Sequence, residues 1–269
     1  MPPHEPASAP SPRTPAEILF DLNQDCGPDL EQAVRAAQQR GREIIPQLIQ
    51  AIDEATDSAL QGEVTEGNAH FIALVLLTEL RAIEALPAII RSMTLPEGGS
   101  YDLYDDAVTE IFSRTLAALA DDRVDLIDSV LSCRTTDLFA RWEGATALLM
   151  LVRDGSLAKE DVIERLRKHL RQAIADRDSD LATIAATDLA TLRAPAARGE
   201  IEEALQRNLI DLEITSADDL LKQLAAEELP LADLLGHFHP SGIADAMDEL
   251  RKWHLFAEEA DDDREFEMF

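Results

Sequence analysis

Ile45-Pro46-Gln47-Leu48-Ile49-Gln50-Ala51-Ile52 is the stretch whose reading decides the fold. Ile45, Leu48, Ile49 and Ile52 fall at i, i+3, i+4 and i+7, which places four apolar side chains on one face of an α-helix. The pattern returns as Leu86, Ile89, Ile90 and Met93. Looser copies are Val124, Ile127 and Leu131, then Ile163, Leu166 and Leu170, then Ile201, Ala204 and Leu205. The copies begin at 45, 86, 124, 163 and 201, a period of 38 to 41 residues. A helical repeat of that length is the signature of a HEAT-like solenoid. In the later copies Asp128 and Arg167 replace the apolar residue at i+4. The helix face is therefore expected to turn polar there, and a partner to dock first along those later helices.

Outward from these helices the chain alternates. Apolar periodicity and breakers predict a first repeat helix over 43–55. It then predicts pairs over 68–81 and 84–93, 103–119 and 123–131, 138–152 and 159–174, and 179–192 and 199–209. Each pair reads as an antiparallel hairpin that cannot bury its apolar faces alone, so stacking must supply the core. The expectation is an all-α, right-handed HEAT-like α-solenoid of about five hairpins with helical caps at both ends. Thr14-Pro15-Ala16-Glu17 has the composition of a capping box with proline in the first turn, so a helix is expected to start there. Residues 216–224 and 241–256 depart from the period and read as a terminal cap. Domain organisation follows: a Pro-rich disordered tail over 1–13, one repeat domain over 14–256, and a disordered acidic tail over 257–269.

Composition narrows the function. The chain has 269 residues and a formal charge of −29, from 53 acids against 24 bases. A nucleic-acid-binding solenoid needs a basic stripe, and an anionic membrane surface needs basic clusters, so neither partner is expected. No apolar run approaches the ~20 residues of a membrane helix, and the N-terminus lacks the basic and apolar regions of a signal peptide. Two cysteines, Cys26 and Cys133, form no paired motif, which fits a reducing cytoplasm.

Several stretches resemble a bacterial family of unknown function, domain of unknown function family 1186. They are Gly67-Asn68-Ala69-His70-Phe71-Ile72-Ala73 with Leu76-Leu77-Thr78-Glu79-Leu80-Arg81, then Ala85-Leu86-Pro87-Ala88-Ile89-Ile90. Gly155 with Glu160-Asp161-Val162-Ile163, and Met247-Asp248-Glu249-Leu250 with Trp253 and Phe256, are similar too. The resemblance spans roughly residues 16–256 and implies a HEAT-like helical array with no established activity. Some members carry a C-terminal Cys-rich metal motif. This chain has no cysteine after Cys133, so nothing that motif confers carries over.

The remaining candidates are interaction residues. Tyr101 and Tyr104 lie among acids beside a Gly-Gly loop, as aromatic anchors or as part of a helix N-terminus whose acids suit the dipole. Arg141 and Trp142 open a repeat helix, as interface anchors or as core residues with Arg141 paired to Glu110. Phe266 and Phe269 end the acidic tail, which reads as a solubilising tail or as an acidic-aromatic tip suited to capture by a partner. His237 and His239 form a two-residue chelate, short of the three or four ligands zinc needs. There is no phosphate loop, nucleophile elbow or zinc-protease motif, so no cofactor, metal or catalytic residue is assigned. The expected function is a cytoplasmic scaffold or adaptor for a basic protein partner. The alternatives are an enzyme or small-molecule binder with a pocket between repeats, and a nucleic-acid charge mimic.

Overall fold

Thr14 caps the first helix as the sequence predicts. Its hydroxyl accepts from the Glu17 amide, and the Glu17 carboxylate accepts from the Thr14 amide at 2.7 Å. This box caps α1 (Pro15–Leu22). In the computed structural model, residues 13–23, 28–96, 98–227, 229–253 and 255 are described. Cys26, Phe256, Phe266, Phe269 and the tails over 1–12 and 257–269 lie outside them.

The chain continues through α2 (Pro28–Arg40), α3 (Ile45–Leu60), α4 (Ala69–Glu79), α5 (Leu86–Met93), α6 (Gly99–Tyr104), α7 (Ala107–Glu110) and α8 (Phe112–Leu119). It then runs through α9 (Val124–Ser132), α10 (Leu138–Arg153), α11 (Lys159–Asp176), α12 (Ser179–Thr191) and α13 (Arg198–Gln206). It closes with α14 (Ala217–Leu224), α15 (Leu231–Leu235) and α16 (Ala246–Lys252). Among the described residues there is no strand, only an isolated bridge between Pro96 and Thr136. The fold is all-α.

Two rows of helices form. In the A row, α2 packs on α4, α4 on α8, α8 on α10, α10 on α12 and α12 on α14. In the B row, α3 packs on α5, α5 on α9 and α11 on α13. The A row is the interior: every residue of α4 from His70 to Thr78 is buried, as is α10 from Ala147 to Val152. The B helices are amphipathic and bury one stripe, such as Ile45, Leu48 and Ile52 of α3.

The A row is buried on its far side by the C-terminal segment, and here the expectation of a terminal cap is corrected. Residues 216–253 turn back along the array instead of ending it: α14 lies on α12, α15 on α10, and α16 on α4 and α2. Two arginines hold this strap. Arg153 donates to the Phe238 carbonyl at 2.9 Å, the His239 carbonyl at 2.6 Å and the Ser241 hydroxyl at 3.2 Å. Arg114 pairs bidentately with Glu249 at 2.9 and 3.0 Å, and the Gly242 amide donates to the Arg114 carbonyl. Apolar side chains along α4 and α10 need cover on both sides, and the strap gives it. Its last helix spans Ala246–Lys252, capped by Asp245, and is shorter than the predicted start at Ser241.

The predicted continuous helix over 103–119 is also corrected. It is broken into α6, α7 and α8, with Asp105 in the left-handed region at φ 46°. Buried His70 supplies the physical reason. Its Nε2 donates to the Leu103 carbonyl at 2.6 Å, taking the acceptor that a continuous helix offers to residue 107. Burial holds His70 below its ordinary pKa, against the hydrogen bond to Leu103, so the ring is neutral at pH 7.

Candidate functional site

Of the six residues singled out in the sequence, Tyr101, Tyr104, Arg141 and Trp142 are among the described residues. Arg141 is 1% exposed. It donates to both oxygens of Asp178, at 3.2 and 2.8 Å, and to the Leu131 carbonyl at 2.9 Å. The expected partner Glu110 is thus replaced by the aspartate that also caps α12, since Asp178 accepts from the Leu181 amide. One buried guanidinium ties the end of α9 to α10 and α12. Tyr104 is buried as well, donating to Ser92 at 3.1 Å and packing edge-on against His70 and Phe112. These two residues are core, and a partner does not reach them. Tyr101 and Trp142 are half-buried.

The polar i+4 positions of the later repeats are also occupied. Asp128 accepts from His169 at 2.9 Å and pairs with Arg165, which reaches Asp125 at 2.9 Å as well. Burial raises the Asp128 carboxyl, and His169 and Arg165 outweigh it, holding Asp128 below the usual carboxylate range. Arg167 pairs with Glu200 at 2.6 Å and Arg171 with Glu164 at 2.6 Å. Arg91 bridges back to Asp53 and Asp57 in the same way. Charges that replaced apolar residues therefore join neighbouring B helices. A groove of about 860 Å³ between α9 and α11 is lined by this mixed set, including Asp161 and Lys168.

A second groove, of about 660 Å³, lies between α1, α3 and the start of α4. Its floor carries Leu19, Ala51 and Ala55, and its edge carries Phe20 and Val64, which are 72% and 90% exposed. Leu60, close by in sequence, is 52% exposed. The charged residues lining it are Glu54 and Glu66, with no lysine or arginine among the lining residues. An apolar floor with an acidic edge is the chemistry that accepts an amphipathic basic segment.

Two further carboxylates lie inside the A row, and sequence reasoning missed both. Burial raises Asp188 to about 8, against a hydrogen bond from Trp142, with the charge of Glu143 adding to the rise. Burial likewise raises Glu143 to about 7, against hydrogen bonds from Ser113, with Glu110 adding to it. The signal for Asp188 was present. It follows Leu181 and Ile184 at i+7 and i+4 on an apolar helix stripe, where a carboxylate is out of place. Cys133 is a free, half-buried thiol. His237 and His239 are exposed on the strap, and no group of three or more metal-binding side chains is assembled among the described residues.

The model of the family described as "Protein of unknown function (DUF1186)" matches residues 15–257, and the chain belongs to that family. A protein described as uncharacterized from Chlamydia trachomatis serovar D is 27% identical over 88% of this chain and 95% of its own length. One from Chlamydia muridarum is 28% identical over 88% of this chain and 96% of its own length. No solved structure matches. No helix among the described residues is long and apolar enough to cross a membrane.

Proposed function

We propose that this member of the DUF1186 family is a cytoplasmic protein-interaction scaffold, a single repeat domain over 14–256 with an acidic tail, that binds a basic, apolar segment of a partner protein. The groove between α1 and α3 carries this reading. It combines exposed Phe20 and Val64 with Glu54 and Glu66, on a face that the strap does not cover. Aromatic and aliphatic anchors supply the affinity of such contacts, and carboxylates supply steering and register. The reading moves the docking surface from the later B helices to the first one, because the later charges are engaged between helices. The same pairing counts against a charge mimic, which needs a continuous ridge of free acids.

The test compares affinity purification on wild type and the double variant Phe20→Asp, Val64→Asp. Both sites are exposed, so the variant is expected to keep its Tm. A basic protein retained by wild type, lost from the variant and released as salt is raised supports the scaffold. Identical protein sets from the two baits, or retention insensitive to salt, would contradict it.

A further inference from the structure

Beneath the strap lies a cavity of about 220 Å³ that belongs to neither groove. One wall is carboxylate: Glu110 at the end of α7 and Glu143 on α10. The opposite wall is aromatic: His237 and Phe238 on the strap, their ring centroids 4.2 Å apart. Met150 and His239 also line it. Carboxylates on the helices beneath an aromatic ring on the strap are what an organic cation requires: charge neutralisation from one element, cation–π contact from another.

The charges support this. Neither the exposed Glu110 nor the half-buried Glu143 forms an ion pair among the described residues, whereas Glu249, Asp178, Asp128 and Glu200 each have an arginine. Glu143 accepts from the Ser113 amide at 3.2 Å. Arg114 also lines the cavity, but Glu249 holds its guanidinium in a bidentate pair. The cavity therefore carries two carboxylates that no ion pair among the described residues engages. Burial and repulsion from Glu110 raise Glu143 to about 7, the behaviour of a carboxylate lacking its counter-ion.

We infer that this cavity binds an organic cation, an alkylammonium or guanidinium group, held between Glu143 and Glu110 on one side and the Phe238 ring on the other. The inference is independent of the α1–α3 groove. The cation comes from a free amine or from a lysine or arginine side chain, and the experiment separates the two.

The test is titration of the full chain with butylammonium, agmatine and an uncharged control, butanol, followed by the NMR signals of the His237 and His239 rings. Acetylated tripeptides Gly-Lys-Gly and Gly-Arg-Gly form the second arm. Saturable shifts with the amines and none with butanol are expected. Glu143→Gln should weaken binding by about tenfold or more, and Phe238→Ala by less. Tighter binding of the tripeptides assigns the site to a side chain, and tighter binding of the free amines to a small molecule. Glu110→Gln provides an exposed-side control should Glu143→Gln lower the Tm. No saturable shift with any cation, or equal affinity in wild type and both glutamine variants, would overturn the inference.

Discussion

At the scale of single residues, the buried charges decide the behaviour. Asp178 neutralises Arg141 in the interior, and burial raises its carboxyl while Arg141, the Leu181 amide and Arg134 lower it further. A depressed carboxylate adds stability above its unfolded pKa and loses it as pH falls through the folded value, so this pair fails on the acid side. Asp178→Ala leaves buried Arg141 with only a long contact to Asp180, at 3.8 Å, and denaturant unfolding is expected to show a loss of about 3–5 kcal/mol. A loss under about 1 kcal/mol would mean the pair behaves as a surface bridge. Asp188 works in the opposite sense. The folded chain keeps its proton up to about 8, whereas the unfolded chain releases it near pH 4, so stability falls as pH rises between those values. Asp188→Asn has no charge to bury. Between about pH 6 and 9 it should lose roughly 2–3 kcal/mol less stability than wild type, at ~1.4 kcal/mol per unit. Parallel pH profiles for the two proteins would refute the assignment.

At the scale of elements, the turns and the strap carry the strain and the contacts that no periodic pattern announces. Gly67 sits at φ +73°, and a Cβ there would come within 2.5 Å of the Asn23 backbone oxygen at the end of α1. Gly67→Ala meets both the left-handed penalty of about 1–2 kcal/mol and a backbone clash. Thermal unfolding should therefore show a drop larger than at Gly62→Ala, where the Cβ has open space. Equal drops would remove the role of the α1 contact. For the strap, Arg114→Ala with Arg153→Ala removes its side-chain anchors to the A row. Hydrogen exchange should accelerate over 235–253 while α11 and α13 stay protected. Unchanged exchange in the strap would mean that its apolar residues alone, such as Leu235 and Leu250, hold it.

The helices themselves were legible because they are local. The 3.6-residue stripes of α3, α5 and α11 and the capping box of α1 are set by neighbours within one turn. The break at Asp105 was not legible, since its cause, His70, lies 33 residues from Leu103, whose carbonyl it takes. The Arg141 pairing was half legible. An ion pair between neighbouring A helices is the expected device, but choosing Asp178 over Glu110 needs the helix packing itself. The cavity under the strap could not be read at all, because it exists only where a non-repeating segment crosses back over three helices.

At the scale of the whole molecule, the strap decides what the array can present. Solenoids offer extended faces to partners, and here the apolar row is covered by the chain's own C-terminal segment. The B-row charges are largely engaged between helices, so net acidity does not translate into a binding ridge along the later repeats. The open apolar surface with uncompensated acids is at the N-terminal end, around Phe20, Leu60 and Val64. The central claim is that a basic partner docks there, and site-specific photocrosslinking in the native cell tests it most directly. A photoreactive residue at position 64 is compared with one at Leu212, an exposed apolar position that does not line this groove and is itself 62% exposed. The account predicts a discrete adduct with a basic protein from position 64, absent from 212 and lost on Glu54→Lys, Glu66→Lys. Adducts of equal yield from both positions, or a position-64 adduct that survives the charge reversal, would contradict it.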